Sequence, residues 1–191
     1  MEKFNFNSPT ALCRKFIEVQ VNRGDICIDA TMGNGHDTIY LARLVGDSGA
    51  VYAFDIQQQA LDATKERLDG LFSNVHLVLA GHEEMAKYVP EIYREEIACA
   101  VFNFGYLPGG DHQLSTKLET SLKGIETALT WLKKKGMVSL CIYSGGDTGF
   151  SEREVILKWL GNLNPKEYVV IISEYYNRPN HPPLPVQIYK V

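Results

Sequence analysis

The sequence predicts an α/β protein whose mostly parallel, doubly wound sheet carries helices on both faces. Three observations point there. Short runs rich in Val, Ile, Ala and Phe alternate with longer amphipathic stretches along the whole chain. Gly, Pro and capping residues sit at the changeovers. No repeat, low-complexity tract or linker-like stretch divides the chain, so residues 1–191 are expected to form one domain.

Each element has a local cause. Ser8 can cap a first helix with Pro9 at its first position, running to about Val21 and broken by Asn22-Arg23-Gly24. A first strand covers Ile26–Ala30, and a helix from His36 to Leu44 is ended by Gly46 and Gly49. Strand Ala50–Asp55 leads to a helix over Gln58–Leu71, then strand Val75–Leu79 and a short helix over Glu83–Tyr88. The fourth strand is Ile97–Asn103, followed by a Gly- and Pro-rich loop over 104–113 and a helix over Ser115–Leu132. Strand Gly136–Tyr143, loop Ser144–Asp147 and helix Ser151–Leu160 complete the fifth unit. Two last strands, Tyr168–Tyr175 and Val186–Lys190, are joined by residues 177–185, too rich in Pro for a crossover helix. They should therefore pair antiparallel at the sheet edge.

Composition excludes several classes. The longest apolar runs are strand-sized, far below the roughly 20 residues of a membrane span, so no membrane partner is expected. The N-terminus lacks the basic and apolar regions of a secretory signal, and a cytoplasmic location is expected. Cys13, Cys27, Cys99 and Cys141 show no CxxC or Cys/His ligand spacing, so they read as reduced, buried thiols and no metal is expected. A formal charge of −4 argues against nonspecific coating of nucleic acid. It leaves room for local basic patches, for which Arg14 with Lys15, Lys133 to Lys135, and Arg178 are candidates; each alone reads as a solvated face or tail.

The chemistry begins at Asp29-Ala-Thr-Met-Gly-Asn-Gly-His-Asp-Thr38, where the first strand turns into a helix. Gly33 and Gly35 permit a tight turn and a close ligand, and the free N–H groups of the next helix face the same crevice. Asp55 ends the second strand about twenty residues later, where a carboxylate can accept from two ribose hydroxyls. Ala80-Gly81-His82 follows the third strand, where a further loop would meet an adenine. A dinucleotide fingerprint needs a third glycine, and that position holds Thr38. The acidic residue four positions before the GxG resembles motif I of methyltransferases. That likeness implies S-adenosyl-L-methionine as cofactor and S-adenosyl-L-homocysteine as product, with Asp29 orienting the methionine part.

On the acceptor side, Asn103-Phe-Gly-Tyr-Leu-Pro-Gly-Gly-Asp-His112 leaves the end of a central strand. It resembles the Asn/Asp-Pro-Pro-Tyr motif of amino-methyltransferases, with Phe104-Gly105 in place of the two prolines. Asn103 offers a carbonyl to an N–H, and Tyr106 offers a ring face or hydroxyl. Asp111 and His112 could hold or deprotonate an amine, because an ammonium has no lone pair to attack with. Asp111 equally suits a cap on the helix near Ser115. Tyr175, Tyr176, Arg178 and His181 combine aromatic and basic groups fitted to an unstacked base, or else form a rigid hairpin loop. His76, Trp131 and Trp159 read as structural.

Five segments are similar, over nearly the whole chain, to a small bacterial family long labelled rRNA methylases. Its members act as tRNA 5-(aminomethyl)uridine/2-thiouridine wobble methyltransferases. The segments are Asp29–Thr38, Phe54-Asp55-Ile56-Gln57, Gly81-His82-Glu83, Asn103–His112 and Asn177-Arg-Pro-Asn-His-Pro-Pro183. The resemblance implies a seven-stranded methyltransferase sheet, mostly parallel, with a C-terminal antiparallel hairpin. It implies N-methylation of the aminomethyl group of the wobble uridine, the tRNA anticodon stem-loop as partner, and a homodimer. Carried over residue by residue, the cofactor set is Asp29, Thr31, Gly33, Asn34, Gly35, His36, Asp37, Thr38, Asp55, Ile56, Gln57, Gly81, His82, Glu83 and Asn103. The catalytic set is Asn103, Tyr106, Asp111 and His112, and the substrate set is Tyr106, Leu107, Pro108, Gly109, Arg178 and His181. Methylation of rRNA or a small amine, and a non-catalytic cofactor-binding RNA-associated protein, remain alternatives at this point.

Overall fold

The structure, a computed structural model, describes residues 5, 7–104, 118–143, 149–179 and 182–191, and of residues 149–152 the backbone alone. Helix α1 spans Pro9–Gln20, with the Ser8 hydroxyl accepting from the Ala11 N–H at 3.2 Å. The first two βα units are β1 (Ile26–Asp29), α2 (His36–Val45), β2 (Ala50–Asp55) and α3 (Gln58–Leu68). Strand β3 (Val75–Leu79) and a 3-10 turn at His82–Lys87 precede β4 (Ile97–Phe104). Then come α4 (Leu118–Trp131), β5 (Leu132–Ile142), α5 (Gly149–Leu160), β6 (Tyr168–Ile172) and β7 (Leu184–Lys190).

The seven strands form one sheet in the order β3-β2-β1-β4-β5-β7-β6. Pairs β2/β3, β1/β2, β1/β4 and β4/β5 are parallel, while β7 runs antiparallel to both β5 and β6. The strand order reverses between β1 and β4, which opens a crevice at their carboxyl ends. Strands β1, β2 and β4 are almost wholly buried, as expected for parallel strands covered on both faces. On one face Phe54, Phe102, Leu140 and Ile188 pack with Met85, Ile125 of α4 and Ile156 of α5. On the other, Cys27, Val51, Cys99 and Met137 meet Ile17 of α1 and Leu41 of α2. Each such fully buried side chain contributes roughly 1.5–3 kcal/mol.

Several boundaries differ from the sequence expectation. Helix α3 stops at Leu68 rather than Leu71, because Asp69 (φ 46°) and Gly70 (φ 68°) turn left-handed. Strand β5 begins at Leu132, directly after α4, rather than at Gly136. Leu132 pairs with Ile97 before the register jumps to Met137 opposite Cys99. Three lysines hide that start, and Lys133 is in fact tied to the Asp25 carboxylate. Strand β6 ends at Ile172, three residues early, and β7 takes in Leu184 and Pro185. The Pro185 carbonyl still serves the sheet, accepting from Ser173 N–H at 2.9 Å. The short helix expected over Glu83–Tyr88 is the 3-10 turn at His82–Lys87. Residues 115–117, the expected start of α4, lie outside the described residues, and no described helix is long and apolar enough to cross a membrane.

Candidate functional site

The turn from β1 into α2 is built from backbone that only glycine adopts readily. Gly33 and Gly35 have φ of 50° and 77°. A Cβ on Gly35 would lie 2.8 Å from both Cγ2 and Oγ1 of Thr64, so α3 passes where a side chain would stand. Helix α3 also braces the turn: Thr64 Oγ1 donates to the Gly33 carbonyl at 3.0 Å, and Arg67 Nε to the Asn34 carbonyl at 2.7 Å. Met32 N–H donates to the Phe54 carbonyl at 2.8 Å, which fixes the turn to β2.

Asp29 is fully buried beneath this turn. Its two oxygens accept from Thr31 N–H at 3.2 Å and the Thr38 hydroxyl at 2.6 Å. Burial first, and the neighbouring Asp37 carboxylate second, push its pKa up to about 7. Asp29 therefore staples β1 to the first turn of α2. Thr38 is equally buried as its partner.

Asp55 stands at the end of β2. One oxygen accepts from Gly33 N–H at 3.0 Å and the other from Gln57 N–H at 2.9 Å. Each oxygen keeps a second lone pair for a further donor. Ile56 beside it is 54% exposed and offers an apolar face at the rim. His36 is exposed at the start of α2, with its pKa lowered by partial burial and by the Arg67 and Arg14 charges.

Asn103 closes the crevice from β4. Its backbone N–H donates to Thr31 Oγ1 at 2.8 Å, and its side-chain Nδ2 donates to Asp37 Oδ2 at 2.8 Å. The other Asp37 oxygen accepts from Nε and Nη2 of Arg14, at 2.9 and 2.7 Å. Since a carboxylate can only accept, the amide must present its nitrogen to Asp37, which leaves Oδ1 as the group offered elsewhere. Thus Thr31, Asp37 and Asn103 are brought together.

The loop after β3 behaves differently. The His82 ring is buried against Phe102 and Phe104, and its Nδ1 lies 3.1 Å from the Ala30 carbonyl. Burial lowers its pKa. A Cβ on Gly124 of α4 would come within 2.3 Å of its ring, so α4 closes over it. His82 thus packs into the core, and Glu83 folds its carboxylate back over Gly81. Tyr106, Leu107, Pro108, Gly109, Asp111, His112 and His181 lie outside the described residues. Arg178 is exposed and bonds the Asn7 side chain. With Tyr175, Pro179 and Pro182 these two line a hollow of about 260 Å³.

Sequence reasoning missed Arg14, Thr64 and Arg67 as parts of the site. Arg14 carried only the signal of a surface patch, and the α3 residues carried none, because their contacts arise from tertiary packing. His76 stacks on Tyr52 at 4.5 Å and Trp131 is buried in the core, as read.

Strand order, the antiparallel β6/β7 pair and the glycine turn at the β1/β4 switch point define a fold of the class I methyltransferases. The chain belongs to the family described as "Putative rRNA methylase", whose model matches residues 51–189. A chloroplastic tRNA (mnm(5)s(2)U34)-methyltransferase of Arabidopsis thaliana is 34% identical over 191 residues, covering 95% of this chain and 69% of the relative. The crystal structure of a "putative rRNA-methylase" from Clostridium thermocellum is 38% identical, with a TM-score of 0.92, covering 98% of this chain and all of that one. A "putative methyltransferase" from Streptococcus mutans, solved in complex with SAH, is 36% identical with a TM-score of 0.87, at 98% and 100% coverage.

Proposed function

We propose that this chain is an S-adenosyl-L-methionine-dependent N-methyltransferase acting on the aminomethyl group of the modified wobble uridine of tRNA. The carrying observation is Asn103, held at the end of β4 with its amide nitrogen committed to Asp37 and its carbonyl without a partner among the described residues. That carbonyl accepts an N–H of the target amine and turns the nitrogen lone pair toward the crevice. The 34% identity over 95% of the chain to the wobble-uridine enzyme supports the choice of acceptor.

The residues present fit the cofactor. The left-handed backbone at Gly33 and Gly35 shapes the turn beside the crevice, and the spare lone pairs of Asp55 suit two ribose hydroxyls. Ile56 offers a face to the adenine, with Gln57 beside it. Asp29 and Thr38 hold the turn from beneath, and His82 holds the Gly81 loop to the end of β1. When bound, the sulfonium supplies the methyl group that is transferred. Alignment of the amine with it does much of the work. His112, with Asp111, takes the proton that the ammonium must lose first, and Tyr106 to Gly109 border the uridine. Arg178, at the hollow beside Tyr175, meets the anticodon strand together with His181. In the same proposal the chain acts as a homodimer, and light scattering at a single-chain mass would remove that part alone.

Mass spectrometry of tRNA nucleosides from cells lacking the protein tests the function. The unmethylated aminomethyl nucleoside should accumulate and its methylated form disappear. Unchanged levels of the methylated nucleoside would reject the proposal. Methylation of free amines by the purified protein, with none on tRNA, would favour a small-molecule substrate.

A further inference from the structure

We propose that Arg14 of α1 is a positioning residue for methyl transfer, acting through Asp37 to set the Asn103 amide; the inference rests on the function proposed above. Arg14 lies upstream of the first strand, outside all five family segments. Yet its Nε and Nη2 both reach Asp37 Oδ1, and Asp37 Oδ2 receives Asn103 Nδ2. The three residues come from α1, α2 and β4, so the line crosses from a peripheral helix to the switch point of the sheet.

Arg14 is itself held in place. Its guanidinium lies 5.0 Å over the Tyr40 ring, and the Tyr40 hydroxyl donates to the Arg14 carbonyl at 2.9 Å. The Arg14 side chain is 36% exposed and that of Asp37 only 15%, so the pair is sheltered from solvent on the carboxylate side. Its value lies in direction more than in stability. A carboxylate gripped by a two-pronged donor cannot rotate freely, and it fixes which end of the Asn103 amide faces the acceptor. Without Arg14, Asp37 is free to turn away and the amide to flip. Its NH2 would then meet the amine where a carbonyl is needed.

The test uses the full-length protein, S-adenosyl-L-methionine and tRNA carrying the unmethylated aminomethyl nucleoside. Arg14→Gln should lower kcat on the order of 10–100-fold. The dissociation constant for S-adenosyl-L-homocysteine and the KM for tRNA should stay near wild type. Arg14→Lys, which keeps the charge but loses the two-donor fork, should fall between them and covers the case in which Arg14→Gln does not fold. Asp37→Asn combined with Arg14→Gln should be no worse than either alone, since both break one line. Wild-type kcat in Arg14→Gln, or losses that multiply in the double variant, would overturn the proposal. So would a drop in melting temperature with kcat intact, which is the mark of a purely structural brace. The Asn103 side-chain amide signal in NMR, assigned with Asn103→Ala, reads the same point without turnover. It should move in Arg14→Gln, and an unmoved signal overturns the positioning role even if the wild-type protein methylates no RNA. That last result would instead reject the proposed function.

Discussion

Two groups of polar residues in the sheet, Asp29 with Asp55 and Gln187, are treated in opposite ways. Under α2, every oxygen of Asp29 and Asp55 has a donor, and Thr38, Thr31, Gly33 and Gln57 supply them. Under α1, Gln187 of β7 is fully buried with neither amide atom bonded among the described residues. Orphaned polar groups of this kind cost about 1–3 kcal/mol each. The difference teaches where the chain holds its precision. The β1–β2 half is bonded into shape ahead of any ligand, whereas the β5–β7 half is held by apolar packing despite its polar atoms.

The largest effect that could break this contrast comes from Asp29. Its folded pKa stands at about 7 against an ordinary 3.8. Between those values the folded protein binds the proton and the unfolded chain does not. Stability supplied by this group is therefore greatest at low pH, falls as pH rises from about 4 to 7, and is level above. The slope approaches about 1.4 kcal/mol per pH unit at its steepest. Asp29→Asn keeps the acceptor for Thr31 and a partner for Thr38. The stability difference between wild type and variant, from urea denaturation at several pH values, should show that fall. A flat difference would mean that the carboxylate is far better solvated than its burial implies.

Asp55→Ala comes next. Losing the acceptor for ribose hydroxyls should weaken S-adenosyl-L-homocysteine binding by about 1–3 kcal/mol, read by calorimetry. Unchanged affinity would remove the cofactor from this half of the crevice. Thr38→Val preserves shape but deletes the donor to Asp29 Oδ2. It should cost about 1–3 kcal/mol of folding stability, because a buried carboxylate oxygen is left alone.

Much of the bonded half was legible in the sequence. Ser8-Pro9, the two glycines and Asp55 each work through a cap, a φ angle or a strand end, all fixed within a few residues. Strands β2 and β3 emerged at their expected bounds for the same reason. What escaped depends on residues distant in the chain. Arg14 reaches Asp37 across 23 residues, and only packing of α1 on the sheet brings them together. His82 turns inward because α4 presents a glycine, Gly124, over its ring. The early start of β5 was hidden by its lysines, whose charges read as a solvated face or tail although Lys133 has a carboxylate waiting in Asp25.

The smallest predicted effect sharpens the comparison most, because its sign is opposite. Gln187→Leu replaces a buried, unbonded amide with an apolar side chain of similar reach, beneath α1 and between β5 and β6. No described hydrogen bond is lost, and the desolvation of two polar atoms is relieved. Folding should become more favourable by about 1 kcal/mol, read as a higher urea midpoint at constant slope. The same exchange of polar for apolar at Thr38 should move the midpoint the other way. If both substitutions destabilise alike, Gln187 has partners after all, and the two halves of the sheet are equally bonded. Opposite signs would establish that buried polarity is structural on the β1–β2 side alone.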